Sequence, residues 1–427
     1  MEQRKRIVVI GGGFGGLNFI KHVDKNRYDV VLVDRNNFHC FPPLFYQVAS
    51  SGLEPGSIGF PFRRELRKGK AKGTRYHMGL VSHVDLANKY IETENERIYY
   101  DGLVLAAGTT NNFFGNKKLI EKVYTLKSTA QAIRCRNEIL DRLERASNME
   151  SAAERKRLLS FVVIGGGPAG VEVAGALGEM KRYILHRDYP TIDRDDVNIT
   201  LLEGSDKLLG AMSEKSQEDA VEYLRKLYVD VRTGCVMTDY ENNHVKLGDG
   251  SDIYSGMVIW TAGITGVEFD FTGGEAPVVK GGRLEVDEYS RVKGLDSVYA
   301  LGDIASMPTK DYPHGHPQLA QVAIQQGRTL AKNLNKGEFA IPFRYKDKGT
   351  MATVGRNLAV ADIGKFHLRG RIAWWAWMLV HLISMLGMRN KVSVFIDWIW
   401  GYFSYGTSLR MLLHPARYPL RWRWGEK

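Results

Sequence analysis

A strand, a glycine-rich turn, a helix and a second strand ending in an acid occur twice in this 427-residue chain. In the first copy, the apolar run Ile7–Ile10 leads into the turn, and Val30–Val33 ends at Asp34. Short apolar runs that stop at glycine are typical of buried parallel strands. The repeat therefore predicts an α/β fold with two Rossmann-like domains, one for each copy.

The second copy lies in the middle of the chain, where Phe161–Ile164 precedes the turn and Ile199–Leu202 ends at Glu203. This acid lies 33 residues past the last glycine of its turn, whereas the acid of the first copy lies 18 residues past its own. A longer helix followed by a loop between residues 179 and 198 explains the difference.

Both turns match the pattern GxGxxG, in which each glycine has a separate task. The first permits a tight turn, the second lets backbone N–H groups approach a pyrophosphate, and the third allows close helix packing. The helix N-terminus adds partial positive charge for the phosphates. An ordinary glycine turn gives the same string, but the flanking strands and acids favour two dinucleotide sites. We expect these residues to line them: Gly11, Gly13, Phe14, Gly15 and Gly16; and Gly165, Gly167, Pro168, Ala169 and Gly170.

The acids at the strand ends add specificity to the two predicted sites. A carboxylate at this position accepts hydrogen bonds from ribose hydroxyls and repels a 2′-phosphate. Glu203 therefore favours NADH over NADPH, and the next basic residue after it is Lys207. Asp34 would hold the other ribose, with Arg35 beside it. An exposed strand-end acid without a ligand remains the plainer explanation of either acid taken alone.

Two dinucleotide sites in one chain require a bound FAD and a transient nicotinamide nucleotide. The segment Val298–Asp303 (VYALGD) resembles the second FAD motif of two-dinucleotide-binding flavoproteins, whose aspartate holds the ribityl chain. By that resemblance the first turn binds FAD and the second binds NADH. The strands Leu103–Ala106 and Met257–Trp260 also end near glycines, which adds residues to each site. These are Ala107, Gly108, Gly302 and Asp303 for FAD, and Ala262 and Gly263 for NADH.

With these motifs in place, the chain resembles the type II NADH:quinone oxidoreductases, single-subunit NADH dehydrogenases that do not pump protons. The resemblance extends from Ile7 to about Arg328. Its more specific pieces are FPPLFYQVA at 41–49 and AQVAIQ at 320–325. It implies non-covalent FAD, NADH as substrate, a quinone as acceptor and no metal.

The resemblance also assigns roles to individual residues. Gln321 and Gln325 lie four apart on a predicted helix, so they share one face, and the family associates this segment with the quinone pocket. A solvated polar face is the alternative. Glu172 is implied to lie near the contact of nicotinamide and flavin, although it could simply favour the helix dipole. The resemblance also implies that Pro43, Ala320 and Gln321 contact FAD and that Gln47 contacts the quinone.

The charge of the chain is concentrated at one end. Residues 365–427 carry a net charge of +8, out of +11 for the whole chain, and contain seven of its eight Trp. The apolar runs Ile372–Met388 and Val392–Tyr405 are separated by Arg389–Lys391 and are short for a membrane span. Aromatic and basic residues together predict a monotopic amphipathic anchor, with phosphate headgroups at Arg410, Arg417, Arg421 and Arg423. A buried helix, a dimer contact or a true span are the alternatives.

We expect the FAD domain to comprise residues 1–120 and 286–343, the NADH domain 121–285, and the membrane-associating region 344–427.

The partners expected are a membrane surface and a second copy of the chain, with no nucleic acid, because long apolar runs suit lipid better than phosphate grooves. We place the protein peripherally on the cytoplasmic face of the bacterial inner membrane, since no signal peptide is visible. An odd count of three cysteines suits a reducing compartment.

Two other enzyme classes share parts of this pattern. A sulfide:quinone oxidoreductase needs redox cysteines, whereas the last cysteine here is Cys235 and no pair is closely spaced. A FAD-dependent NAD(P)H reductase with a soluble protein acceptor would have no use for a Trp-rich basic tail.

Overall fold

The structure, a computed structural model, describes residues 4–404 and 409–412 in two compact units. The first unit contains the described residues of Met1–Cys40, Gly59–Phe114 and Gly263–Gly349; the second contains those of Phe41–Ile58, Gly115–Ala262 and Thr350–Lys427. Each unit contains one copy of the strand–turn–helix–strand repeat, so the predicted α/β class is confirmed.

The main sheet of the first unit is parallel, and its central strand is the one that leads into the first turn. The last four residues of that strand are buried, as expected for a strand covered on both faces. Leu103 and Leu105 pack beside Val8 and Ile10 in one apolar core. In spatial order the strands are Val298–Ala300, Gly102–Leu105, Lys5–Ile10, Tyr28–Asp34 and Arg75–Met78.

Two helices of this unit pack unusually closely. We call Phe14–His22 the first loop helix and Ala320–Lys336 the glutamine helix. A Cβ added to Gly327 would lie 2.5 Å from Gly15 O and 2.9 Å from Phe19 N. Glycine at this crossing therefore lets the two backbones touch.

Smaller sheets and short helices complete the first unit. Its other strands are Phe38–Cys40, Gly59–Pro61, Val81–Asp85, Tyr90–Thr93, Arg97–Tyr99, Thr109–Asn111, Ile264–Gly266, Asp270–Thr272, Val278–Val279, Arg283–Glu285 and Ala305–Ser306. Its short helices are Phe62–Glu65, Gly69–Ala71 and Gly302–Ile304.

The main sheet of the second unit repeats this arrangement. Every residue of its central strand, Ser160–Ile164, is buried. The strand order is Tyr124–Thr125, Met257–Trp260, Ser160–Ile164, Asn198–Leu202 and Asp230–Arg232, all parallel. The helix after the second turn, Pro168–Glu179, is called the second loop helix and continues as a π-helical turn, Met180–Ile184. That continuation supplies the longer helix expected before Glu203.

The second unit also contains a sheet that the sequence analysis did not predict. It is antiparallel, consists of Thr350–Gly355, Leu358–Ile363 and Phe366–Arg369, and is called the tail sheet. A Cβ on Gly175 would overlap Val354 O. The tail sheet therefore packs directly on the second loop helix.

The remaining elements of the second unit lie around its two sheets. Its other helices are Pro42–Leu44, Phe45–Ala49, Pro55–Ser57, Leu119–Lys122, Thr129–Ser147, Ala152–Leu158, Leu185–Asp188, Arg194–Asp196 and Glu214–Lys226. Its other strands are Met237–Glu241, His244–Leu247 and Asp252–Tyr254.

The apolar tail forms two helices, Gly370–Ser384 and Met388–Ser404, called the first and second tail helix. The predicted break at Arg389–Lys391 is wrong. The first helix ends before Met385, and Gly387 has a φ of +70° that glycine adopts without strain. No helix among the described residues is long and apolar enough to cross a bilayer.

The expected headgroup contact of Arg410 is also wrong. Its guanidinium pairs with the carboxylate of Asp188, and its side chain is only 14% exposed. Arg417, Arg421, Arg423 and Tyr405 lie outside the described residues.

The helix crossing in the first unit gives a stability prediction. We expect Gly327→Ala to lower the free energy of unfolding by about 1–3 kcal/mol, because the new methyl must push two backbones apart. Gly401→Ala is the matched control, since nothing lies within 4 Å of an added Cβ in that helix. The control should be neutral or more stable by up to about 1 kcal/mol. Equal melting temperatures for the two variants would contradict the close packing.

Candidate functional site

The first glycine turn is closed by backbone contacts that leave no room for side chains. Gly11 has a φ of +101°, and its N–H donates to Val33 O at 2.9 Å. A Cβ there would overlap Ala106 O, and one on Gly16 would overlap Gly11 O. The turn therefore requires glycine at both positions, as the motif predicts.

The same turn is open where a ligand would approach. Gly13 caps the first loop helix and makes no side-chain capping hydrogen bond. A Cβ on Gly13 would come no closer than 4.0 Å to a neighbouring atom. Phe14 begins the helix and Gly15 is buried behind it. A helix N-terminus beside open space suits an anionic phosphate.

Two side chains hold the middle of the first turn from opposite sides. Asp34 accepts from Gly12 N at 2.7 Å and from Asn36 N at 2.8 Å. His39 donates from Nδ1 to Gly12 O at 2.8 Å and is 5% exposed. Burial raises the pKa of the Asp34 carboxyl and lowers that of His39 to about 4. Arg35 is exposed and follows this carboxyl directly.

The residues expected at the other end of the FAD site meet around a short helical turn. Gly302 N donates to Gln326 Oε1 at 2.7 Å, and Gln318 Nε2 donates to Asp303 O at 3.0 Å. Thr109, directly after Ala107 and Gly108, contacts the Asp303 carboxylate. Gln326 is therefore a site-shaping residue that sequence reasoning missed. The signal was its place beside Gln325, on the buried side of the helix.

The second glycine turn has the same hydrogen bond and the same close backbone contacts as the first. Gly165 has a φ of +107°, its N–H donates to Leu202 O at 2.8 Å, and a Cβ there would lie 2.8 Å from Ala262 N. A Cβ on Gly170 would overlap Gly165 O. Gly167 has nothing within 4 Å of an added Cβ and caps the second loop helix. Pro168 and Ala169 form the first turn of that helix, and Gly263, after Ala262, belongs to the first unit.

Glu203 occupies the position that Asp34 has in the first copy. One carboxylate oxygen accepts from Gly166 N, and the other accepts from Ser205 N at 2.8 Å and Ser205 Oγ at 2.7 Å. Lys207, the nearest basic residue in sequence, is paired with Glu214 at 3.0 Å. Lys207 is therefore engaged with Glu214, and the Glu203 carboxylate is held at the turn by the Gly166 and Ser205 amides.

Glu172 lies inside the second unit, 9% exposed, between the second loop helix and the tail sheet. Its carboxylate accepts a hydrogen bond from the Thr353 amide, and burial raises its pKa well above the usual range. Glu179, seven residues on, is held in the same way by Arg356 N at 2.6 Å, and burial also raises its pKa. The helix therefore carries one buried and one half-buried carboxyl group, and the pKa of each is shifted towards holding a proton.

As expected, Gln321 and Gln325 project from one face of the glutamine helix. The first residue of this helix is Ala320. Both amides bind the backbone of the segment 346–349. Lys348 N donates to Gln321 Oε1 at 3.0 Å, and Gln321 Nε2 donates to Gly349 O at 3.2 Å. Gln325 makes the equivalent pair with Lys346 at 3.0 Å in each direction.

Two further expected residues fall in the second unit, within Phe41–Ile58. Pro43 lies in the short helix Pro42–Leu44. Gln47 is bonded at both ends of its amide, to Trp398 and to Tyr46. Sequence reasoning missed Tyr46 and Trp398, and no local pattern links two residues so far apart in the chain.

Two of the three cysteines are poorly suited to thiol redox chemistry. Cys40, Cys135 and Cys235 are all free thiols, and burial raises the pKa of Cys40 to about 11 and that of Cys135 higher still. A thiol that resists ionisation is a poor redox nucleophile. Within the described ranges, no group of three or more His, Cys, Asp or Glu side chains could hold a metal.

The buried His39 gives a pH prediction. Its pKa is lowered from 6.5 to about 4 in the folded chain, so below pH 6.5 the unfolded chain takes up a proton that the folded chain refuses. The contribution of His39 to the free energy of unfolding is therefore fully present above pH 6.5 and falls as the pH drops towards 4. Between pH 7 and pH 5 we expect a loss of about 2 kcal/mol from this group.

The measurement is the melting temperature of wild type and His39→Gln at both pH values. The variant should lose less stability on acidification, because glutamine keeps an N–H donor for Gly12 O but does not titrate. His244→Gln is the control, since that side chain is 47% exposed. If His39→Gln were as acid-sensitive as wild type, the buried neutral histidine would not be the cause.

Two family models and a curated relative match this chain over most of its length. The family model for pyridine nucleotide-disulphide oxidoreductases matches residues 5–327, and that for the NDH2 C-terminal domain matches 348–404. A type II NADH:quinone oxidoreductase of Mycobacterium tuberculosis is 34% identical over 93% of this chain and 88% of its own length.

Solved structures share the fold. NDH2 of Plasmodium falciparum in complex with NADH superposes with a TM-score of 0.87 at 24% identity, covering 96% of this chain and all of the other. A sulfide:quinone oxidoreductase of Aquifex aeolicus gives 0.71 at 16% identity, covering 96% of each chain. The matched models and the curated relative together show that this chain belongs to the pyridine nucleotide-disulphide oxidoreductases, and within them to the type II NADH:quinone oxidoreductase family.

Proposed function

We propose that this protein oxidises NADH and reduces a membrane quinone, using non-covalently bound FAD and pumping no protons. The observation that carries the proposal is the pair of matching dinucleotide turns in a chain that belongs to this family along 93% of its length. When bound, FAD accepts a hydride from NADH and passes two electrons to the quinone. The protein supplies binding, orientation and protons.

The first turn is proposed to hold FAD. Its residues fit the group: Gly11 and Gly16 allow the close backbone path, and Gly13 leaves the helix amides open to a pyrophosphate. Asp34 would bind the ribose, and Asp303 would bind the ribityl chain. Arg35, Pro43, Ala107, Gly108, Gly302, Ala320 and Gln321 complete the proposed FAD set.

The second turn is proposed to hold NADH. Gly167 leaves open space at the start of its helix, where Ala169 and Gly170 carry backbone N–H groups and Pro168 has none. Glu203 would accept the ribose hydroxyls and repel a 2′-phosphate, which supports NADH over NADPH. Its engagement with Gly166 and Ser205 keeps the carboxylate at the turn before a ligand arrives. Ala262 and Gly263 follow the neighbouring strand.

Glu172 is proposed to hold a proton close to the nicotinamide and flavin contact. Burial already favours its protonated form, and the Thr353 amide fixes the carboxyl in place. Such a group can hold a proton and pass it on, as quinone reduction requires.

The quinone headgroup is proposed to bind beside Gln321 and Gln325. Because Gln325 Nε2 has two hydrogens and gives one to Lys346 O, the second can serve a quinone carbonyl. Gln321 Nε2 donates to Gly349 O at 3.2 Å and to Asp347 Oδ1 at 3.4 Å, so both of its hydrogens are used and it would act chiefly by holding the segment 346–349. Gln47 belongs to the proposed quinone set from its motif alone.

The alternative activities are less well supported. A sulfide:quinone oxidoreductase needs reactive sulfur, and the thiols of Cys40 and Cys135 resist ionisation. A soluble protein acceptor leaves the apolar tail helices without a purpose.

We propose that the tail helices dock on a lipid bilayer as a monotopic anchor. Each exposes apolar side chains at helical spacing, and such contiguous patches mark membrane or protein contacts. The exposed set is Ile372, Trp375, Leu379, Val380 and Ile383 on the first tail helix, and Met388, Val392, Phe395, Ile396, Ile399, Trp400 and Phe403 on the second. The proposal places the protein on the cytoplasmic face of the bacterial inner membrane, as a homodimer.

The activity can be tested on purified protein under anaerobic conditions. NADH should bleach the flavin absorbance near its visible maximum, and adding a quinone should restore it. NADPH should bleach it far more slowly, because of Glu203. A colourless protein that takes up no flavin, or a flavin that NADH bleaches and no quinone restores, would contradict the proposal.

Membrane docking can be tested with a charge placed on the apolar face. We expect Leu379→Glu combined with Ile396→Glu to abolish sedimentation with anionic liposomes, since each buried charge costs several kcal/mol in lipid. Phe366→Glu is the control, because Phe366 is 75% exposed but lies on the tail sheet. The control should sediment like wild type. Loss of binding in both proteins would point away from a helical anchor.

A further inference from the structure

A hydrogen-bonded chain inside the second unit links the second tail helix to a buried phenol. Trp398 Nε1 donates to Gln47 Oε1 at 2.7 Å, and Gln47 Nε2 donates to the Tyr46 hydroxyl oxygen at 2.7 Å. Trp398 and Tyr46 are each 8% exposed. The chain is therefore short, continuous and largely removed from water.

The indole at one end fixes the direction of the whole chain. An indole N–H can only donate, so the oxygen of the Gln47 amide must face Trp398 and its nitrogen must face Tyr46. Without that indole the amide could turn around, and its oxygen would then accept the phenol hydrogen. With it, the phenol oxygen accepts from Gln47, and the phenol hydrogen is left to point elsewhere.

The surroundings of Tyr46 keep its hydroxyl group protonated. Burial, together with the charges of Glu172 and Glu179, raises the pKa of this phenol well above the usual range. Its ring packs edge-on against Trp377 at 6.4 Å, and Trp377 packs against Trp398 at 5.6 Å. Tyr46 is thus a protonated donor in an aromatic cluster, on a short helix that packs against the second loop helix.

We propose that Trp398 is a positioning residue for quinone reduction: by orienting Gln47, it keeps the Tyr46 hydroxyl hydrogen turned away from the amide and available as a proton donor. The inference rests on the proposed function, because it matters only if protons must reach a reduced quinone. It also gives Gln47 a different task from direct quinone binding. Its amide oxygen faces Trp398, and one of its Nε2 hydrogens faces Tyr46.

A mutant cycle tests the proposal. Trp398→Phe removes the N–H and should lower kcat with quinone about tenfold, with little change in KM for quinone. Tyr46→Phe should do the same. The double variant should be no slower than Tyr46→Phe alone, because orienting an absent hydroxyl has no effect. NADH oxidation with ferricyanide, which accepts electrons without protons, should stay at the wild-type rate in all three.

Trp377→Phe is the matched control. It loses the same ring atoms from the same aromatic cluster, it is 1% exposed, and its indole nitrogen has no hydrogen-bond partner in the described part of the chain. We expect it to share the loss of melting temperature with Trp398→Phe but to keep its quinone turnover. If Trp398→Phe does not fold, Gln47→Met replaces it, since removing the amide should give the same selective fall in kcat.

Three results would overturn the proposal: Trp398→Phe matching Trp377→Phe, the two losses multiplying in the double variant, or KM for quinone rising while kcat is kept. The last result would mean that Gln47 contacts the quinone itself. Wild-type protein that cannot reduce any quinone with NADH would instead overturn the proposed function, so the two failures are distinguishable.

Discussion

Both nucleotide turns depend on one constraint, the approach of a strand-end glycine to the backbone of the neighbouring strand. Gly11 lies against Ala106, and Gly165 lies against Ala262, with no space for a Cβ at either position. Because the chain turns there with positive φ, the next amides are free to be held by an acid, Asp34 in one unit and Glu203 in the other. The path of the chain from strand to helix in each turn follows from these two contacts.

Much of this is predictable from the amino-acid sequence because its signals are local. The buried strands, the glycine spacing and the acids lie within about 40 residues of each other in each copy, so sequence pattern alone is enough to infer the α/β class and both turns. Helix boundaries are predicted less accurately. The second loop helix begins at Pro168, whereas the pattern indicates a start near Val171, because proline fits the first helical position.

The parts that are not predictable depend on contacts between distant residues. The tail sheet mixes apolar and charged residues in short strands, and it is stabilised by packing on a helix about 180 residues earlier in the chain. Gln326 differs from Gln325 by one position in sequence, yet it is the buried one that holds Gly302. The predicted break between the tail helices is misplaced because the charged residues give a stronger sequence signal than the left-handed glycine at Gly387.

The contact of the tail sheet with the second loop helix has a consequence for protein engineering. Gly175 meets Val354, while Thr353 and Arg356 hold Glu172 and Glu179, so the tail sheet is an integral part of the second unit. Deleting the region after residue 349 to obtain a detergent-free sample would strip these two carboxyl groups of their partners and uncover an apolar helix. Replacing the exposed apolar side chains of the tail helices with polar ones, without deleting any residue, keeps the buried contacts of the second unit.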